Sequence, residues 1–217
     1  MNDAPTVTPE ARPAQDGVRP RVIAAAEEAL RRAAPGLPPA AAALLPRLFA
    51  AVPTAELAAT PPEALAEATA SLFAFAADRR PDEAKLRVLP AGPGRGPLPV
   101  VEIVIEDMPF LVDSALAALA LRGRIVRQLL HPIVPVRRDA GGRLVAIEEG
   151  APARESMMRI TLAPGAAMAL GAGGAAPEPD DFAALERTLA RAMADVRLAV
   201  SDFDALMSRL RAAEVEV

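Results

Sequence analysis

The side chains of this chain that could do chemistry are few and scattered. His131 is the sole histidine, Lys85 the sole lysine, and cysteine is absent. A histidine can act as a general base or hold a metal, but a metal needs convergent donors, and His131, followed by Pro132 in an extended stretch, brings none with it. A structural hydrogen bond is the better reading. Glu106, Asp107 and Asp113 could form an acid pair, yet Asp107 stands just ahead of a helical pattern, where a carboxylate accepts the orphan N–H groups of a first turn, so it reads as an N-cap. Lys85 has no acidic partner in the pattern around it. Gly92, Gly94 and Gly96 lie among prolines ahead of a strand, and Gly171, Gly173 and Gly174 in an alanine-rich stretch. A pyrophosphate cradle needs glycines at a strand-to-helix turn, so both sets read as linkers. Arg122, Arg124, Arg127, Arg137, Arg138 and Arg143 could hold an anion or an acidic partner. The favoured reading is a solvated sheet edge that discourages pairing with other chains.

The elements that must position these residues are legible in the hydrophobic periodicity. Residues 100–114 run from a strand straight into a helix. Val101, Ile103 and Ile105 alternate with Glu102, Val104 and Glu106, the period of a strand with one face fully and one partly buried. Asp107, Met108 and Pro109 stop it, because Pro109 supplies no ladder donor but fits a helix's first turn. The helix carries Phe110, Leu111, Ser114, Leu116, Leu119 and Leu121 until Gly123, which can adopt the left-handed conformation that closes a helix. Ahead of this unit, residues 1–19 read as a disordered, proline-rich tail. Helices are expected over 21–34, 40–52 and from 61–63 to about residue 80, with Leu65, Leu72, Phe73 and Phe75 touching the rest of the protein. A short strand at 86–89 follows. Residues 125–137 form a long extended segment broken by Pro132 and Pro135, hence at an edge or bulged. Asp139-Ala140-Gly141-Gly142 signals a hairpin returning through 144–147. Residues 155–162 form another strand, with Met158, Ile160 and Leu162 on one face. After a loop over 164–179, Asp180 and Asp181 cap a final helix striped by Phe182, Leu185, Leu189, Met193, Val196, Val200, Phe203 and Leu210.

This order predicts an α+β fold, a ferredoxin-like antiparallel sheet with helices on one face, preceded by a small helical region. The division is 1–19 tail, 20–82 helical region and 83–217 α+β domain with a long C-terminal helix. No final edge strand is visible near the C-terminus, so residues 86–89 or a downstream segment must complete the sheet. At 217 residues and net charge −4, with 3% aromatics and neither Trp nor Tyr, the chain lacks the basic, aromatic-studded surface of a single-stranded nucleic-acid binder. The 52% hydrophobic fraction is largely alanine, which records helix propensity more than core volume. No stretch offers roughly 20 uninterrupted apolar residues for a membrane span, and the N-terminus lacks a secretory pattern, so a cytoplasmic location is expected.

Asp107-Met108-Pro109-Phe110-Leu111, with Gly123 after the helix, resembles the first loop of ACT regulatory modules, which typically reads Asp, any residue, Pro, Gly, then an apolar residue. Phe110 stands where amino-acid-binding members carry glycine. Residues 100–114, residues 131–144 beginning His131-Pro132-Ile133, Arg154-Glu155-Ser156-Met157-Met158 and Ala194-Asp195-Val196-Arg197 together resemble the N-terminal region of the large bacterial NAD-specific glutamate dehydrogenases. The resemblance extends over about residues 48–210. It implies an ACT-like, non-catalytic regulatory or assembly region, with NAD bound elsewhere in the full enzyme and no cofactor in this chain. Its partners would be downstream ACT-like and catalytic domains or neighbouring subunits, with neither nucleic acid nor membrane. The alternative is a stand-alone amino-acid sensor or oligomerising adaptor, with Asp107, Met108, Pro109, Phe110, Asp113 and Ser114 as its ligand site.

Overall fold

A computed structural model describes residues 17–92, 96–163 and 181–215, with side chains as far as residue 203. Of the tail expected over 1–19, residues 1–16 lie outside the described residues, as do the loop at 164–179, Asp180 and the side chain of Leu210; Val18 and Arg19 are instead helical, in the first turn of α1. The elements run α1 (Val18–Ala33), α2 (Pro39–Leu48), α3 (Thr54–Ala59), α4 (Pro62–Ala76), β1 (Lys85–Leu89), β2 (Val100–Glu106), α5 (Leu111–Leu121), β3 (Val126–Leu130), β4 (Ile133–Arg138), β5 (Leu144–Ile147), β6 (Ala153–Leu162) and α6 (Phe182–Val215). The helix expected over 40–52 ends at Leu48, and a further short helix that was not expected, α3, starts after Pro53 at its N-cap position. The third expected helix ends at Ala76, short of residue 80.

The fold is α+β and ACT-like. All strand pairs are antiparallel, in the order β1-β2-β6-β4-β5, with β3 also on β6. β3 and β4 share one side of the ten-residue β6, so the extended segment is one bent strand whose corner is His131-Pro132. β1 supplies the outer strand on the other flank, pairing Leu86 with Ile103 and Val88 with Val101. A strand that precedes the unit thus takes the outer place beside β2.

Both faces of β2 are buried, which corrects the half-exposed face expected from its alternation. Val101, Ile103 and Ile105, with Met158, Ile160 and Leu162 of β6, pack under α5 and α6. Val104 and Met157 point the other way, into a second core with Leu44, Leu45, Leu57, Leu72 and Phe73 of the N-terminal helices. The helical region thus forms a layer on the sheet face that α5 and α6 leave open. Glu102 lies between these apolar neighbours and is itself fully buried.

Local chemistry sets the boundaries. Gly123, at φ 64°, closes α5, and Arg124 N–H donates to Leu119 O at 2.9 Å. In the β4–β5 hairpin, Asp139 Oδ1 accepts from Gly141 and Arg143 N–H, both at 2.9 Å. Asp181 Oδ1 accepts from Ala184 N–H at 2.7 Å at the start of α6. The α6 stripe is buried or half-buried from Phe182 to Val200, whereas Phe203 is exposed, because the helix has run past the sheet.

Ile103→Ala is expected to cost about 2–5 kcal/mol in urea unfolding, the scale for truncating a fully buried aliphatic side chain. Gly142→Ala should destabilise more than Gly150→Ala. Both glycines have positive φ, but a Cβ on Gly142 would stand 2.4 Å from Arg79 O, whereas that on Gly150 meets nothing within 4 Å. Equal midpoints for those two variants would contradict the docking of the hairpin against the end of α4.

Candidate functional site

The loop from β2 into α5 is built differently from its sequence expectation. Asp107 is not the N-cap: its backbone N–H donates to Arg154 O at 3.0 Å, and the helix begins after Phe110, with no side-chain cap. Pro109 lies in the turn ahead of the helix rather than in its first turn. Phe110 adopts φ 70°, in the left-handed region, and is 67% exposed. A bulky side chain there costs about 1–2 kcal/mol relative to glycine. The ring nevertheless projects beside a groove of about 510 Å3 between α5 and α6, which Ser114, Ala117, Leu121, Ala192 and Val196 also line. Leu121, 84% exposed, extends the apolar surface.

The six loop positions therefore divide. Phe110 and Ser114 reach the groove, Met108 packs against the core under α5, and Pro109 and Asp113 are exposed. Asp107 is half-buried and acts electrostatically on His131, to which no spacing in the sequence points.

His131 makes the structural hydrogen bond expected of it: Nε2 lies 2.6 Å from Oγ of the buried Ser156. Burial pulls its pKa below 6.5, and the negative charge of Asp107 opposes that in part. Ser156 faces Ile133 across the β4–β6 ladder, beside the corner at His131. Lys85 Nζ donates to Phe75 O and Asp78 O, both at 2.7 Å, where α4 ends, which is a capping role.

Two buried carboxylates dominate the electrostatics. Glu102 Oε2 accepts from Arg87 at 2.5 Å and Oε1 from Ser71 Oγ at 2.9 Å, and Arg159 also bonds Oε1. The Arg87 guanidinium stacks 4.4 Å from the Phe75 ring centroid. Glu155 sits between Arg79 and Arg138, with Oε1 at 2.7 Å from both Arg79 Nη2 and Arg138 Nε, and Oε2 at 2.7 Å from Arg138 Nη2. Burial alone would raise the Glu155 pKa, but the hydrogen bonds and charges of Arg138 and Arg79 hold it below 4.5. These groups escaped sequence reasoning, since a glutamate inside an alternating strand reads as its solvent face. The usable signal was their flanks, Val101 and Ile103 around Glu102, and Ser156 and Met157 after Glu155.

The six arginines expected along a solvated edge share no single site. Arg138 is partly buried against Glu155, Arg137 pairs with Glu148 at 3.0 Å, Arg143 lies 3.9 Å from Asp78, and Arg124 stands 5.9 Å from the Phe182 ring. Among the described residues, no group of three or more His, Cys, Asp or Glu could hold a metal, and no helix is long and apolar enough to cross a membrane.

Residues 44–168 match the family described as glutamate dehydrogenase, ACT1 domain. An NAD-specific glutamate dehydrogenase of Halomonas elongata is 33% identical over 178 residues, covering 78% of this chain but 10% of that protein. One from Pseudomonas aeruginosa is 29% identical over 116 residues, 51% of this chain and 6% of the relative. The chain thus spans a tenth or less of the curated relatives it matches. No solved structure matches it.

Phe110→Gly is expected to stabilise the chain by about 1 kcal/mol in urea unfolding, by releasing backbone strain; destabilisation would contradict the left-handed assignment. Glu155→Ala, which strands the buried Arg79 guanidinium and the partly buried one of Arg138, should cost about 3–5 kcal/mol. Both shifted groups are lowered, so the folded state binds their protons less readily than the unfolded chain does. The contribution of His131 is then complete above pH 6.5 and fades as pH falls through its lower folded value, and that of Glu155 is complete above 4.5 and fades below it. Melting across this range should therefore show acid destabilisation in two stages, and His131→Asn should remove the upper one.

Proposed function

Since the chain belongs to the glutamate dehydrogenase ACT1 domain family, we propose that it is a non-catalytic assembly and regulatory segment of a large NAD-specific glutamate dehydrogenase. The whole enzyme would oxidise L-glutamate to 2-oxoglutarate and ammonia with NAD, and this segment would contact its other domains or a neighbouring subunit. The observation that carries the reading is the exposed apolar groove between α5 and α6, flanked by Phe110 and Leu121. Contiguous apolar surface of this kind marks a contact with another protein element. Strain retained at Phe110 points the same way, because left-handed bulky residues persist where the surroundings or a function require them.

Two features of the described residues support a reading without NAD in this segment. Gly92 N–H donates to Gly96 O at 3.0 Å inside the loop between antiparallel β1 and β2, so these glycines are not at a strand-to-helix turn. Among the described residues, the turn that leads from a strand into a helix, Asp107 to Phe110, carries a carboxylate and no glycine, which opposes a pyrophosphate. The strongly held charges, Glu102 and Glu155 with their arginines, are engaged in structural pairs rather than offered to a substrate.

A second reading is a stand-alone amino-acid sensor or oligomerising adaptor acting through Asp107, Met108, Pro109, Phe110, Asp113 and Ser114. It draws on the same left-handed Phe110. Melting of the chain with glutamate and other amino acids separates the two, since a ligand specific for the folded state raises Tm.

In the full-length enzyme, Phe110→Asp with Leu121→Asp is expected to shift the oligomeric state in light scattering and to change glutamate oxidation kinetics. The same pair in the 217-residue chain should leave its melting within a few degrees, as both side chains are exposed. Unchanged assembly and kinetics would overturn the proposal, as would NADH production by the purified 217-residue chain supplied with glutamate and NAD.

A further inference from the structure

A cleft of about 260 Å3 opens where the helical layer meets the sheet, between the turn joining α2 to α3 and the corner of β3 and β4. Its apolar wall is formed by Leu48, Val52 and Leu130, all buried. The polar groups come from both sides, Arg47 and Glu56 from the helices and Arg127, Gln128 and His131 from the strand. Gln128 Nε2 donates to Glu56 Oε1 at 2.7 Å, which ties the two walls together. His131 uses Nε2 on Ser156 and has no partner for Nδ1 among the described residues.

The arginines here differ from those of the sheet interior. Arg127 is exposed and makes no hydrogen bond or ion pair among the described residues. Arg47 holds the carboxylate of Glu149 at 2.9 Å, but Glu149 is 84% exposed, and such a surface pair contributes little and exchanges readily for another carboxylate. Glu56, the one carboxylate lining the cleft, is already engaged by Gln128. The cleft therefore presents one guanidinium without a partner among the described residues, that of Arg127, and a second, that of Arg47, whose exposed carboxylate partner a ligand can displace; its lining carries these two cations against the single carboxylate of Glu56. Planar guanidinium forks match carboxylates in two parallel hydrogen bonds. Its volume falls below the range of about 300–1,000 Å3 typical of drug-sized ligands, so the occupant must be small.

We propose that this cleft binds a small dicarboxylate, with one carboxylate on Arg127 and the other on Arg47. The site lies away from the α5–α6 groove and does not depend on the assembly role. Because its walls belong to two layers, occupancy would strengthen the docking of the N-terminal helices on the sheet by mass action.

The test is calorimetric titration and melting of the 217-residue chain with succinate, alongside acetate and inorganic phosphate. Saturable succinate binding that raises Tm is expected. Arg127→Ala should weaken it by at least about tenfold, the scale for a lost charge-assisted hydrogen bond. Arg127→Lys should recover part of the loss, and Arg122→Ala, at an exposed position past the end of α5, should have no effect. The proposal is overturned by absence of saturable succinate binding, by succinate binding that Arg127→Ala leaves unchanged, or by acetate or phosphate binding as tightly as succinate.

Discussion

A sheet buried on both faces has no water to solvate a charge, and that constraint organises this molecule. The carboxylates that β2 and β6 bury toward the helical layer must be matched by cations, and Glu102 and Glu155 each receive two. The cations come from different elements. Arg87 belongs to β1 and Arg159 to β6, Arg138 to β4, and Arg79 to the segment leaving α4. Arg138 Nη2 also donates to Ala76 O, and Arg87 Nη2 to Ser71 O, both at 2.9 Å, so each clamp reaches back to α4. Buried pairs yield little net stability, since desolvation offsets the Coulomb attraction. They do penalise misplacement, because sliding α4 along the sheet would strand charges in an apolar setting.

The two faces of the sheet consequently carry different chemistry. Under α5 and α6 the core is apolar, with Ile103, Met158 and Ile160 grouped with Leu119, Leu189 and Met193. Toward α1–α4 the same strands contribute Val104 and Met157 beside Glu102, Glu155 and Arg159. Period-two alternation sorts these sets without a single bulge in the β2–β6 ladder. The polar face thereby specifies where the helices dock, and the apolar face supplies bulk burial.

The outer strand, β1, arrives from upstream, and α6, which runs for 34 residues, lies against it. Glu186 on that helix accepts from Val88 N–H at 2.7 Å, satisfying a donor on the outer strand that would otherwise invite pairing with another chain. On the helical face, by contrast, Phe110 and Leu121 stay exposed.

Local patterns in the sequence determined most of the elements. Alternation marked β2 and β6, the stripe from Phe182 to Val200 marked α6, and Gly123, Asp139 and Gly142 marked turns whose backbone demands few residues meet. The incomplete C-terminal strand pattern left β1 as one of two ways to finish the sheet. The family was legible too, because four short blocks in order are a sequence property. Tertiary structure alone decided the rest. Whether Glu102 is solvated or buried depends on a helical layer contributed by residues far earlier in the chain, and alternation cannot register a partner on the second face. Capping of α5 by Phe110 rather than Asp107 follows from where the β2–β6 ladder delivers the chain, since Asp107 N–H is drawn to Arg154 O. The meeting of Arg47, Arg127 and His131 at one cleft is likewise invisible in sequence, because it arises from packing a helix turn against a strand corner some eighty residues away.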